Sequence, residues 1–162
     1  MSNKLIYYWA YGSNLNVKAM TTRCPGAKKL VALPIKNGAL VFRGVADAVY
    51  REGTVCHGGL WLINRKHEAT LDAYEGVKSG LYNKCYLKLL VDGKEVQCLY
   101  YQMNTRGVFP PNDAYVDCIA QGYKDFGLPL EALDRAIHEA CRFSNKARAN
   151  LDALDPSQFL PF

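Results

Sequence analysis

The chain has 162 residues, 49% of them apolar and 22% charged, with a formal net charge of +5. A chain of this length makes one domain that buries about 70% of the surface its unfolded form exposes, so folding requires neither disulfides nor a metal. The charge is modest and its lysines and arginines are scattered, which argues against nucleic acid as a partner, and no apolar run approaches the roughly 20 residues that span a bilayer.

The first ten residues, MSNKLIYYWA, lack the basic n-region, apolar stretch and cleavage site of a signal peptide, so a soluble, cytoplasmic protein is expected. Cys24, Cys56, Cys85, Cys98, Cys118 and Cys141 are widely spread, with no CxxC and no histidine at ligand spacing. They read as small buried hydrophobes kept reduced, and neither a metal nor a cofactor is expected.

Residues 5–10 are apolar and aromatic without alternation, as in a strand buried on both faces. Tyr11-Gly12-Ser13-Asn14-Leu15-Asn16 follows, a turn with a helix-capping residue at each of three positions, and then a short helix over 17–23 stopped by Pro25-Gly26. A strand that runs through such a turn into a helix leaves backbone N–H groups able to hold an anion such as a carboxylate, although an ordinary connection has the same composition. Strands are predicted over 28–33 and 38–43, separated by Pro34 and an Asn37-Gly38 turn. Residues 44–53 show no period and read as loop. Residues 55–63 read as one strand, in which Gly58-Gly59 marks a bulge or a close backbone approach.

Asn64 is placed to cap a helix over 65–74, with Leu71 and Tyr74 as its inward edge and Gly76 just past its end. A hairpin of strands 81–91 and 94–103 turns on Asp92-Gly93, the pair a type I′ turn prefers. Counting from that turn sets Leu89 opposite Val96, Leu87 opposite Cys98 and Lys84 opposite Tyr101, with Tyr82 and Tyr101 diagonal neighbours on one face. Asn112 caps a helix over 113–126 whose Tyr115, Ile119, Tyr123 and Phe126 recur at helical spacing before Gly127. A last helix starts at Leu128-Pro129 and reaches about Arg142, with Leu130, Leu133, Ile137 and Cys141 on one face. The resulting class is α+β, a domain over residues 1–142. Residues 143–162 remain unassigned, either a partly helical tail packed across the domain or a segment for self-association as a homodimer.

The stretch from Leu71 to Tyr82 carries the chemistry. Glu75 falls where the helix stops, facing the negative end of its dipole, and any burial adds a desolvation cost. Both raise its pKa and make it a candidate general acid/base near neutral pH. A glutamate before a glycine at a helix end is, taken alone, more often simply part of the turn.

YGSNL after the first strand, LDAYEGVKSGLY, the hairpin, PPNDAY and a helix ending in GLP together resemble the γ-glutamylcyclotransferase family over residues 8–133. The resemblance implies a small mixed β-barrel of five to seven strands with flanking helices. It implies a cofactor-free conversion of γ-glutamyl-amino acids, small molecules, to 5-oxoproline and a free amino acid. It assigns the proton transfers to Glu75 and substrate binding to Gly12, Ser13, Asn14 and Leu15 through their amides, with Tyr11, Tyr82, Tyr101 and Tyr115 lining the cavity. The chemistry is self-consistent, because the substrate's own α-amine is the nucleophile and needs only a base to free it. Residues between Arg43 and Gly59 depart from the family form. A γ-glutamylamine, or a γ-glutamyl group on a larger scaffold, is the alternative substrate, and a non-catalytic module holding a small acidic metabolite the alternative function. The asparagine after YGS argues against glutathione as the preferred substrate.

Overall fold

The computed structural model describes residues 4–153, with side chains through Asn145. Strand β1 (Ile6–Ala10) is central. It pairs antiparallel with β5 (Gly59–Ile63) on one side and parallel with β7 (Lys94–Met103) on the other. β2 (Lys28–Ala32) extends the sheet beyond β5, and β6 (Tyr82–Val91) beyond β7, in the order β2-β5-β1-β7-β6. The inner position of β1 accounts for its unalternating sequence, since Tyr8, Trp9 and Ala10 are all buried.

β3 (Ile35–Arg43) and β4 (Val45–Cys56) form a separate antiparallel ribbon. The α+β class and the strand number are as expected, but among the described residues the sheet does not close into a barrel. Its edges are β2 and β6, and the ribbon meets β7 through side chains instead of a ladder. Asp47 Oδ1 accepts from Met103 N at 2.9 Å, and Gln102 Nε2 donates to Ala48 O at 3.0 Å.

Strand β4 overturns the loop expected over 44–53. Its run holds small alanines and a fully buried aspartate, Asp47, satisfied by Arg43 Nε at 2.9 Å, so no polar/apolar alternation marks it. The single strand expected over 55–63 is in fact the end of β4 and all of β5. Gly58 and Gly59 are close approaches: a Cβ would come within 2.4 Å of the Trp9 ring at the first and 2.3 Å of the Phe126 ring at the second. Asn37-Gly38 is no turn between strands but an irregularity inside β3, with Asn37 at φ 58° and its Oδ1 accepting from Gly53 N.

The hairpin register is as counted, without a bulge: Leu89 faces Val96, Leu87 faces Cys98 and Lys84 faces Tyr101. Asp92 and Gly93 both have positive φ, as a type I′ turn requires. Helix α1 (Val17–Arg23) is capped by Asn16, α2 (Arg65–Tyr74) by Asn64 in a reciprocal box with His67, and α3 (Asp113–Phe126) by Asn112. The inward residues of α2 are His67 and Leu71, four apart, whereas Tyr74 is half exposed.

Helix α4 (Leu130–Ala153) runs past Arg142 without a break. Its buried stripe is Leu133, Ala136 and Ala140, with the expected Ile137 partly buried against the core and Leu130 and Cys141 exposed, because the alanines let the helix settle against β3. Residues 154–162 of the tail lie outside the described residues. All six cysteines are unpaired, and Cys24, Cys56 and Cys98 are buried as expected while Cys85, Cys118 and Cys141 are not.

Candidate active site

Helix α2 ends in a Schellman turn. Gly76 N donates to Ala73 O at 3.2 Å and Val77 N to Asp72 O at 3.0 Å, with Gly76 at φ 64°. Glu75 is the last residue before this reversal, and it forms part of the wall of a cavity of about 240 Å³. Beside it the chain leaves β1 through Tyr11 and Gly12 into a 3-10 turn, Ser13–Leu15, and residues 11–14 also line the cavity. The first amide to bond within that turn is Leu15 N, to Gly12 O at 3.0 Å, so Ser13 and Asn14 keep amides without an intrahelical partner.

Tyr11, Gly12, Ser13, Asn14, Tyr82, Tyr101 and Tyr115 all line the cavity with Glu75. Leu15 does not; its side chain is fully buried below the turn and its amide is used within it. The polar-aromatic face of the hairpin is therefore the one that faces the cavity. Three neighbours are not among the expected site residues: Tyr8 on β1 and Tyr74 at the end of α2, both lining the cavity, and Arg23, whose guanidinium lies 3.7 Å from the Tyr74 ring centroid. A lone arginine at the end of a short helix is indistinguishable in sequence from a solvated one.

Burial pushes the Glu75 carboxyl up to about 7, against the opposing pull of Arg23. Burial also holds Tyr8, Tyr11, Tyr82, Tyr101 and Tyr115 well above the usual tyrosine range, so their hydroxyls stay protonated. Their hydrogen bonds sort them into two groups. Tyr11 donates to Tyr101 O at 2.5 Å, Tyr82 to Ala46 O at 2.8 Å and Tyr101 to Asp72 Oδ1 at 2.7 Å, so these three present oxygens able to accept. Tyr115 accepts from Ala46 N at 2.9 Å and Tyr8 from Asn14 Nδ2 at 3.0 Å, which leaves the hydroxyl proton of each free to donate. One cavity thus offers acceptors for a cationic group, donors for an anionic one, and a carboxyl that changes charge near neutrality. Among the described residues, no three His, Cys, Asp or Glu side chains are grouped as metal ligands.

Residues 55–135 match the AIG2-like family. γ-Glutamylcyclotransferases of Bos taurus and Homo sapiens are each 33% identical over 137 residues, covering 76% of this chain and 73% of theirs. A solved structure of γ-glutamyl cyclotransferase superposes with a TM-score of 0.72 at 27% identity, over 98% of this chain and 93% of that one. The chain belongs to the γ-glutamylcyclotransferase family, a family of enzymes.

Proposed function

We propose that this enzyme converts γ-glutamyl-amino acids to 5-oxoproline and a free amino acid, with Glu75 as the proton shuttle. The observation that carries the reading is a single carboxyl, poised at about 7, on the wall of a small cavity whose other polar groups are neutral hydroxyls and amides. The volume, about 240 Å³, lies below the roughly 300–1,000 Å³ of drug-sized pockets and suits a dipeptide-sized molecule.

In this reading the oxygens of Tyr11, Tyr82 and Tyr101 accept from the substrate's ammonium, and the amides of Ser13 and Asn14 hold its α-carboxylate. Ionised Glu75 removes a proton from the ammonium. The freed amine then attacks the γ-carbonyl carbon of the same molecule. A new C–N bond closes the five-membered ring and leaves two hydrogens on its nitrogen. The original amide C–N bond breaks as the proton held by Glu75 passes to the departing nitrogen, and Glu75 then takes the second proton from the ring nitrogen and gives it up to the released amine. The free hydroxyl protons of Tyr8 and Tyr115 stabilise the oxygen as it gains charge. Nucleophile and electrophile share one chain, so holding that chain bent supplies an effective molarity of about 10⁵–10⁸ M without a covalent enzyme intermediate. Formation of 5-oxoproline from γ-glutamyl-alanine, measured for wild type and Glu75→Gln, tests the proposal. Equal activity in the two proteins would defeat it.

A further inference from the structure

Asn14 is buried, and both ends of its side-chain amide are engaged. Arg23, the last residue of α1, donates through Nη1 to Asn14 Oδ1. From the other edge, Asn14 Nδ2 donates to the Tyr8 hydroxyl at 3.0 Å and reaches Glu75 Oε1 at 3.4 Å. A guanidinium has donors and no acceptor, so only the oxygen end of the amide can face it. Flipping Asn14 would set NH2 against the guanidinium and a carbonyl oxygen against the Glu75 carboxylate, a repulsion on both edges. The same guanidinium covers the ring of Tyr74, the residue preceding Glu75.

We propose that Arg23 is a positioning residue for the proton-transfer carboxylate: it fixes the N–H edge of Asn14 toward Glu75 and clasps Tyr74, holding Glu75 ready to take the substrate's proton. The proposal rests on the role given to Glu75 above. Around that carboxyl stand Tyr8 and Tyr11 from β1 and its end, Tyr82 from β6, Tyr101 from β7 and Tyr115 from α3, all neutral. The nearby carboxylates are each tied to a cation, Asp72 to Lys84 and Asp47 to Arg43. Arg23 is the positive group acting on Glu75, and without it burial acts unopposed.

Carboxyl ¹³C titration of glutamate-labelled protein reads this without substrate, the Glu75 signal being the one lost in Glu75→Gln. In Arg23→Gln the Glu75 midpoint should rise by about half a pH unit or more, as expected when a neighbouring cation is removed. In Arg23→Lys the charge stays but the planar fork is lost, so the midpoint should hold while kcat for γ-glutamyl-alanine falls about tenfold with little change in KM. In an Asn14→Ala background, Arg23→Gln should cost at most about threefold in kcat, because the Asn14 contact is gone and only the Tyr74 clasp and the charge remain to be lost. An unmoved midpoint in Arg23→Gln overturns the proposal, as does an equal cost in both backgrounds. Should Arg23→Gln not fold, a wild-type kcat in Arg23→Lys overturns it instead. A wild type inactive on γ-glutamyl compounds would remove the proposed reaction, and the NMR midpoints would still decide the place of Arg23.

Discussion

The Tyr101 hydroxyl donates to Asp72 Oδ1 across 2.7 Å, tying β7 to the last turn of α2 three residues before Glu75. Asp72 Oδ2 accepts from Lys84 Nζ at 3.0 Å, and Lys84 also pairs with Glu68 at 2.7 Å. The helix that carries the carboxyl is thus braced against both strands of the hairpin. Tyr101→Phe should leave the Asp72–Lys84 pair intact and cost about 1.5–3 kcal/mol of stability, the net worth of a hydrogen bond to a charged group. Its kcat/KM should fall about tenfold or more, because an acceptor facing the cavity is lost as well. Kinetics and thermal unfolding of the same preparation separate the two effects.

Glu75→Gln should lose about 10²–10⁴-fold in kcat, the range for a general acid/base group. The wild-type kcat/KM should rise with pH through about 7 as Glu75 ionises.

Stability carries the same signature with the opposite sense. The folded value, about 7, lies above the ordinary 4.5, so between them the native state binds more protons than the unfolded chain and its stability falls as pH rises. Below about 4.5 and above about 7 the contribution is level. Melting curves from pH 4 to 8 should show wild type losing stability relative to Glu75→Gln, at about 1.4 kcal/mol per unit of displacement.

Asp47→Ala should be among the most damaging single substitutions. It would leave Arg43 and the amides of Ala48 and Met103 without their carboxylate, at a cost of about 3–5 kcal/mol. Denaturant unfolding measures this directly.

Gly122 lies on α3 where a Cβ would come within 2.6 Å of Asn16 N and of Leu15 C. Gly122→Ala should therefore push the 3-10 turn away from its seat, costing about 1–3 kcal/mol and raising KM more than it lowers kcat. Steady-state kinetics alongside thermal unfolding check the split.

How much of this was legible in the sequence depended on whether a residue's signal was local. The caps at Asn64 and Asn112, the Asp92-Gly93 turn and the hairpin register follow from neighbours along the chain, and the structure has them as read. Tyr82 and Tyr101 met on one cavity because period-two geometry and a two-residue turn fix that face. Strand β3 is legible over 38–43, but β4 is hidden in the sequence because the reversal before it is a lone glycine, Gly44, and because Asp47 looks polar until Arg43 is seen beside it. The α4 stripe slipped because alanines carry little apolar weight yet permit the closest packing. Arg23 was invisible for a different reason: its partners, Asn14 and Tyr74, are brought to it only by the fold.

The seam between ribbon and sheet has a consequence for how the molecule breathes. Since β4 meets β7 through the Asp47 carboxylate and the Gln102 amide, parting them breaks no ladder of backbone bonds. Besides that seam the ribbon is held by the Phe42–Phe109 and Gly44–Phe109 backbone bonds and by α4, so it is expected to exchange as one unit ahead of the laddered β5, β1 and β7. In amide hydrogen exchange, residues 39–49 should exchange together and faster than those of β1. Ala46, on the cavity wall, holds the Tyr82 and Tyr115 hydroxyls through its carbonyl and its amide, so exchange at its N–H reports on the site as well as on the seam.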